Sequence, residues 1–156
     1  MVGLERRVLT EFVTNDRPPS RHLDVPAPVW ERASSLLPGV RDLAGSFPEG
    51  SGPNCFAAVM AAAGVPGAGP TMMVREPFES WLDASTRAGG RDGDPGCVLV
   101  WRTPSGDADH AAVTLGDGWA VHKPSQGWMS PCMVLPTHEL IRVSRHPGLR
   151  LHRYRL

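Results

Sequence analysis

The chain has 156 residues, and its 16 basic and 16 acidic side chains leave no formal net charge. This length fits one domain with a substantial core. The balanced charge argues against nucleic acid or a membrane surface as the main partner, because both favour a basic face. Three widely separated cysteines, Cys55, Cys97 and Cys132, form no C-x-x-C motif. We therefore expect a reducing compartment, without a disulfide framework or a bound metal.

Residues 1–45 are predicted to form an N-terminal arm that carries one short helix and belongs to the same domain. No apolar run of signal-peptide length opens the chain, so we expect a cytoplasmic protein. Four prolines exclude a continuous helix or central strand across the arm: positions 18, 19, 26 and 28. The short helix is expected within residues 28–40, with Val29, Leu36 and Leu37 on its buried side.

Residues 46–156 are predicted to form the main part of the domain, beginning with the stretch SGPNCFAAVMAAAG. Its apolar side chains share one helical stripe, so we expect a helix from about Cys55. Asn54 or Ser51 is the expected N-cap, and Gly64 followed by Pro66 ends the helix. A second helix is expected within residues 75–90, with three buried side chains: Phe78, Trp81 and Leu82.

The character of the chain changes after residue 90. Runs rich in β-forming residues follow at 97–101, 110–115, 119–123, 128–135 and 149–156, and a short helix is expected at 137–146. Because helices come first and strands second, these residues predict an α+β fold. The expected architecture is a helix packed on a small antiparallel sheet of about five strands.

A hairpin joins the segments that carry His110 and His122, and its turn decides whether the two side chains meet. A three-residue loop at 116–118 places Ala112 opposite His122 and both histidines on one face. A two-residue turn would place them on opposite faces. The histidine face is otherwise small, so we expect the end of the Cys55 helix to approach it.

This pattern predicts nucleophilic catalysis by a thiol. A helix N-terminus stabilises negative charge, and a thiolate is the reactive form of cysteine, so we expect the Cys55 pKa to be lowered. His110 is the candidate base and later the acid that protonates the leaving group. His122 is the candidate third residue, which orients the His110 ring. A zinc ion held by the same three side chains is a less favoured alternative.

Substrate contacts are expected near the nucleophile and in the segment that follows the hairpin. The backbone amide of Cys55, assisted by Asn54 or Ser51, is the candidate oxyanion site. Gln126 and Trp128 follow the hairpin and are candidate substrate-binding residues.

Residues 51–133 resemble the NlpC-type papain-like cysteine peptidases, a family of bacterial cell-wall endopeptidases. Three pieces carry the resemblance: Cys55 at a helix start, DPGCVLVW at 94–101, and DHAAVTLGDGWAVHKP at 109–124 with twelve residues from one histidine to the next. The resemblance implies a papain-like fold with Cys55 as nucleophile, His110 as base and His122 as the orienting residue, without a cofactor.

The resulting prediction is a cysteine-dependent hydrolase that acts on an amide or thioester through an acyl-enzyme. Two alternatives stay open. An acyltransferase or cyclase would act on a carrier-bound or small-peptide substrate, and a non-catalytic binding module would keep the fold alone. The expected partner is a peptide, amide or thioester substrate, and the sequence leaves the oligomeric state open.

Overall fold

A computed structural model describes residues 20–156, so residues 1–19 of the predicted arm lie outside the described residues. The described part combines several helices with a six-stranded antiparallel sheet, which confirms the α+β class. Among these residues, no helix is both long enough and apolar enough to cross a membrane.

The first element within residues 20–156 is a 3-10 helix at His22–Asp24. The helices are α1 (Ala27–Leu36), α2 (Val40–Leu43), α3 (Cys55–Ala62), α4 (Arg75–Ser85) and α5 (Thr137–Val143). The strands are β1 (Arg87–Ala88), β2 (Pro95–Arg102), β3 (Ala108–Gly116), β4 (Trp119–His122), β5 (Met133–Pro136) and β6 (Arg150–Arg155). Their order in the sheet is β1-β6-β2-β3-β4-β5.

The two faces of the sheet are covered by different helices. Because side chains alternate along a strand, Ala111, Val113 and Leu115 of β3 share one face, and they pack with the buried side chains of α1, α2, α3 and α4. Ala112 lies on the other face, in a smaller apolar cluster with Leu140 of α5. The sheet is therefore the middle layer of the fold.

Several predicted elements have different limits in the structure. Leu36 is 41 % exposed, because the buried side of α1 follows Val29, Ala33 and Leu37 at steps of four residues. The helix α4 ends at Ser85, before the predicted glycines, and the next residues form β1 at the sheet edge. Trp81 of α4 is only partly buried. The predicted strand at 128–135 is shorter, because a turn occupies residues 127–130.

The hairpin turn differs from the predicted three-residue loop. Gly116 pairs with Trp119, so Asp117 and Gly118 form a two-residue turn, and both have positive φ (52° and 84°). The register shifts at Leu115, and Val113 then pairs with Val121. A two-residue turn alone would separate the histidines, but this bulge restores the predicted register.

Candidate active site

His110 and His122 are hydrogen-bonded to each other across neighbouring strands. The distance from His110 Nε2 to His122 Nδ1 is 2.9 Å, and the rings are nearly perpendicular at 77°. The register therefore brings the two histidines together as predicted. Because Nε2 of His110 is engaged by His122, Nδ1 is the ring nitrogen left for proton exchange with a third group. In that role Nδ1 is unprotonated and Nε2 donates to His122.

A bulge in β3 sets the direction of the His110 side chain. Arg102 pairs with Ala108 and Trp101 pairs with His110, so Asp109 is an extra residue between the two pairs. Ala108 consequently lies on the face covered by α1, α2, α3 and α4. His110 contacts the Trp101 ring on the other face, with ring centroids 5.3 Å apart. A bulge next to a reactive residue is a common way to redirect a side chain.

Cys55 is the first residue of α3, and Asn54 caps the helix as one of the two predicted candidates. Asn54 Oδ1 accepts a hydrogen bond from the Ala57 amide at 3.0 Å, while its Nδ2 donates to the Met73 carbonyl at 2.7 Å. The other candidate cap, Ser51, is exposed. The carboxamide of Asn54 therefore fixes the start of the helix to the loop that precedes α4.

The Cys55 thiol is not acidified at rest, contrary to the prediction. Its pKa is raised to about 11, mainly by burial and to a smaller extent by the Asp109 carboxylate. The backbone amides of Ala111, Phe56 and Cys55 act in the opposite direction and lower the pKa, but burial outweighs them. The Ala111 amide belongs to the residue after His110, so the Cys55 sulfur lies beside the part of β3 that carries the candidate base.

The His110 ring is neutral across the physiological range. Its pKa is lowered from 6.5 to about 4, mainly by burial and to a smaller extent by an electrostatic contribution from His146. A protonated imidazole is therefore disfavoured next to the thiol. The resting pair is a neutral thiol and a neutral imidazole.

The helix α3 packs on a different face from the predicted one. Its side chains join the apolar cluster of Ala111, Val113 and Val121, on the face opposite the histidines. The helix α3 packs on that face because it offers more apolar surface to bury than the small histidine face. The histidine face is covered instead by α5, through Leu140.

One cavity of about 560 Å³ nevertheless joins the start of α3 to the histidine face. It brings together five of the predicted site residues: Asn54, Cys55, His110, His122 and Gln126. Ser51 and Trp128 lie outside its lining, and Trp128 is 45 % exposed. An apolar wall completes the cavity: Phe56, Met133, Leu135 and Val143.

Five polar residues of the cavity were not predicted from the sequence: Asp109, Lys123, Ser125, Ser144 and His146. Ser144 and His146 follow α5, and nothing in the sequence indicated that this helix covers the histidine face. The Ser144 hydroxyl is buried and has no hydrogen-bond partner among the described residues. Lys123 has a detectable signal, since it is the single lysine of the chain and directly follows His122.

Metal ligation has no support from the described residues. Within residues 20–156, no group of three or more His, Cys, Asp and Glu side chains is arranged to hold a metal ion. The cavity brings together a thiol, three imidazoles, a carboxyl group and an amino group. In comparisons with known proteins, the chain matches no family model, no curated protein and no solved structure.

Proposed function

We propose that this protein is a cysteine-dependent hydrolase of the peptidase or amidase type, with Cys55 as nucleophile. The observation that carries the proposal is the hydrogen bond from His110 to His122 in the cavity that also contains the first residue of α3. A nucleophile, a base and a group that orients the base form the constellation of acyl-transfer enzymes. The resemblance to NlpC-type papain-like peptidases supports the same roles.

The proposed reaction begins as the Cys55 sulfur attacks the carbonyl carbon of the substrate. His110 Nδ1 accepts the thiol proton while its Nε2–H donates to His122. The first amides of a helix have no partner within the helix, so the Cys55 N–H is available to the oxyanion. The imidazolium then protonates the leaving amine or thiol, and a thioester to Cys55 remains. Water deprotonated by His110 hydrolyses this thioester and restores the free thiol.

The neutral resting pair makes proton transfer part of the attack rather than a step before it. Burial raises the Cys55 pKa and lowers the His110 pKa, so a standing thiolate and imidazolium pair is disfavoured. Nδ1 of His122 would stabilise the His110 imidazolium by accepting one hydrogen bond, which is a weaker effect than that of a carboxylate. We propose a small peptide, amide or thioester substrate in the cytoplasm.

One observation favours a second candidate, a binding module that keeps this fold without catalysis. Cys55 is only 9 % exposed, and its raised pKa is typical of a buried structural cysteine. The two candidates differ in the reactivity of the thiol.

The first test compares alkylation of the three cysteines by iodoacetamide between about pH 5 and pH 10, followed by peptide mass spectrometry. Cys97 and Cys132 are internal controls, because burial also raises their pKa values to about 11. We expect Cys55 to react at least about tenfold faster at pH 7, because His110 accepts its proton. His110→Ala removes this difference. Equal, slow labelling of all three thiols would instead favour the binding module.

The acceptor of the acyl group is tested separately, on substrates that label Cys55 as a thioester. Added hydroxylamine competes with water for the acyl group. A hydrolase forms free acid without any amine, and hydroxylamine diverts only part of the product to hydroxamate. An acyltransferase or cyclase would release little free acid until an amine or thiol acceptor is supplied.

A further inference from the structure

Lys123 is a buried charged residue beside the nucleophile to which the proposed reaction gives no role. It directly follows β4, is 1 % exposed, and lines the same cavity as Cys55. A buried ammonium group is costly unless it is paired or hydrogen-bonded. Its partners therefore indicate what it does.

The Lys123 ammonium group holds a turn closed at the side of the cavity. Its Nζ donates to the Ser125 carbonyl and, at 3.0 Å, to the Gly127 carbonyl. The same turn is held by Ser130, whose Oγ accepts from the Ser125 amide at 3.2 Å. Residues 124–127 thus wrap around the lysine head group.

This turn is bonded directly to the segment that leads into α3. The Gly52 amide donates to the Gln126 carbonyl at 3.0 Å, and Gly52 lies two residues before the cap Asn54. The chain of bonds therefore connects the end of β4, which carries His122, to the start of the helix that carries Cys55. Loosening the turn would disturb both sides of the site.

The Lys123 ammonium group interacts electrostatically with two cysteines. Burial lowers the pKa of Lys123, while the thiolate forms of Cys132 and Cys55 would raise it. Four other titratable groups line the same cavity, Asp109, His110, His122 and His146, and no arginine is among its described lining residues. His110 is neutral above its pKa of about 4, so its imidazolium cannot stabilise a thiolate at rest.

We propose that Lys123 is a positioning residue of this site, whose ammonium group closes turn 124–127 against the start of α3 and stabilises the Cys55 thiolate by its charge. The proposal rests on the proposed function only in taking Cys55 as the reacting group. Its electrostatic part is a coupling between two side chains, and such a coupling is reciprocal.

The test uses the single lysine of the chain as its own probe. Protein labelled with ¹³C and ¹⁵N only in lysine gives one side-chain signal, whose shift reports the Lys123 pKa. The comparison is made in a Cys132→Ser background, which removes the other thiol whose charge would act on the lysine. We expect Cys55→Asp to raise the Lys123 pKa by about one unit relative to Cys55→Asn, because the carboxylate supplies the negative charge of the thiolate, whereas the thiol itself is neutral where Lys123 titrates. An unchanged Lys123 pKa would overturn the electrostatic role.

The reciprocal measurement is Cys55 alkylation in Lys123→Met. We expect about a tenfold slower reaction at pH 7, equivalent to a rise of one unit in the Cys55 pKa. Ser130→Ala is the matched control, because it loosens the same turn and keeps the charge. Both variants should increase amide hydrogen exchange at residues 125–127, but only Lys123→Met should shift the pH profile of Cys55 alkylation. Equal profiles, or unchanged exchange in Lys123→Met, would contradict the proposal.

The outcomes separate this proposal from the proposed function. A coupled lysine with an unreactive wild-type Cys55 would retain the positioning role and exclude the hydrolase. A reactive, His110-dependent Cys55 that is not coupled to Lys123 would support the hydrolase and exclude the role of Lys123. If Lys123→Met does not fold, the lysine signal in the cysteine variants still decides, because those variants keep Lys123.

Discussion

Asn54 shows how one side chain supports both the fold and the reactive group. Its carboxamide oxygen caps α3 and its amide nitrogen reaches the loop at Met73. The capping bond fixes the first turn of the helix, and the amides of Cys55 and Phe56 in that turn act on the thiol. A lost cap would therefore affect both stability and thiol reactivity.

We predict that Asn54→Ala lowers the free energy of unfolding by about 1 kcal/mol, because it removes the acceptor of the Ala57 amide. Asn54→Asp is the matched control, since it keeps that acceptor and loses only the donor to Met73. Urea unfolding measures both, and we expect the aspartate variant to retain more stability. A smaller loss for alanine than for aspartate would contradict the capping role.

The His110 ring should make the protein sensitive to mild acid. Its pKa is lowered from 6.5 to about 4 in the folded state. Between these values the unfolded chain binds the proton and the folded chain does not. Stability is therefore full above about pH 6.5 and decreases as the pH falls toward 4. We expect His110→Gln to flatten this part of the curve, measured as the free energy of unfolding by urea between these pH values. Parallel curves would show that His110 is not buried as a neutral ring.

The sequence patterns predicted contacts between residues more accurately than they predicted the protonation states of those residues. The hairpin register brings His110 to His122, and a strand register depends on local spacing. The raised pKa of Cys55 depends on burial by β3 and its own helix, which no local pattern contains. Lys123 lies in the polar run HKPSQG, which is typical of an exposed loop. Its burial depends on carbonyls that only the folded turn supplies.

The hairpin between β3 and β4 is the element on which the site geometry depends. Gly116, Asp117 and Gly118 all have positive φ, and the bulge at Leu115 follows from this turn. Such φ values are strained for residues other than glycine, with asparagine and aspartate the best tolerated. The predicted position of the turn was correct, but its predicted length was wrong. The glycines of this segment are compatible with both a two-residue turn and a three-residue loop.

We predict that Gly116→Ala destabilises the protein by about 1–2 kcal/mol. Gly116 has φ of 93°, and an added Cβ would lie 3.3 Å from the Pro95 ring. Gly118→Asn is the control, because the space around Gly118 is open and asparagine tolerates its φ of 84°. Thermal unfolding should show the larger loss for Gly116→Ala. Equal midpoints would mean that the turn adapts to a side chain.

At the scale of the whole molecule, the cavity lies where two layers of helices meet one sheet. The nucleophile comes from the larger layer, through α3, while the histidines project toward the smaller layer formed by α5. The sequence predicted a helix at 137–146 but not its position, because a helix of two turns has no strong facial pattern. The alternation of side chains along the strands predicted two different faces of the sheet. The apolar area that can be buried on each face then determined which helix covers it.

A salt bridge between the layers should control the position of His110. Arg102 of β2 donates to both carboxylate oxygens of Glu79 on α4, at 2.5 and 3.0 Å, and their side chains are 13 % and 27 % exposed. Glu79 Oε1 also accepts from the Ala108 amide at 3.3 Å. Ala108 directly precedes the bulge that aims His110 at the cavity. The carboxylate therefore fixes the helical layer to the start of β3.

We predict that Glu79→Gln lowers the free energy of unfolding by about 1–3 kcal/mol, because Arg102 keeps its charge and loses its charged partner. Asp24→Asn is the control for a lost ion pair, since Arg21 and Asp24 are 43 % and 56 % exposed and such surface pairs contribute less than about 1 kcal/mol. Cys55 alkylation at pH 7 should slow in Glu79→Gln and stay unchanged in Asp24→Asn, because only the former loosens the strand that carries the base. Equal alkylation rates in a destabilised Glu79→Gln variant would limit the salt bridge to a structural role.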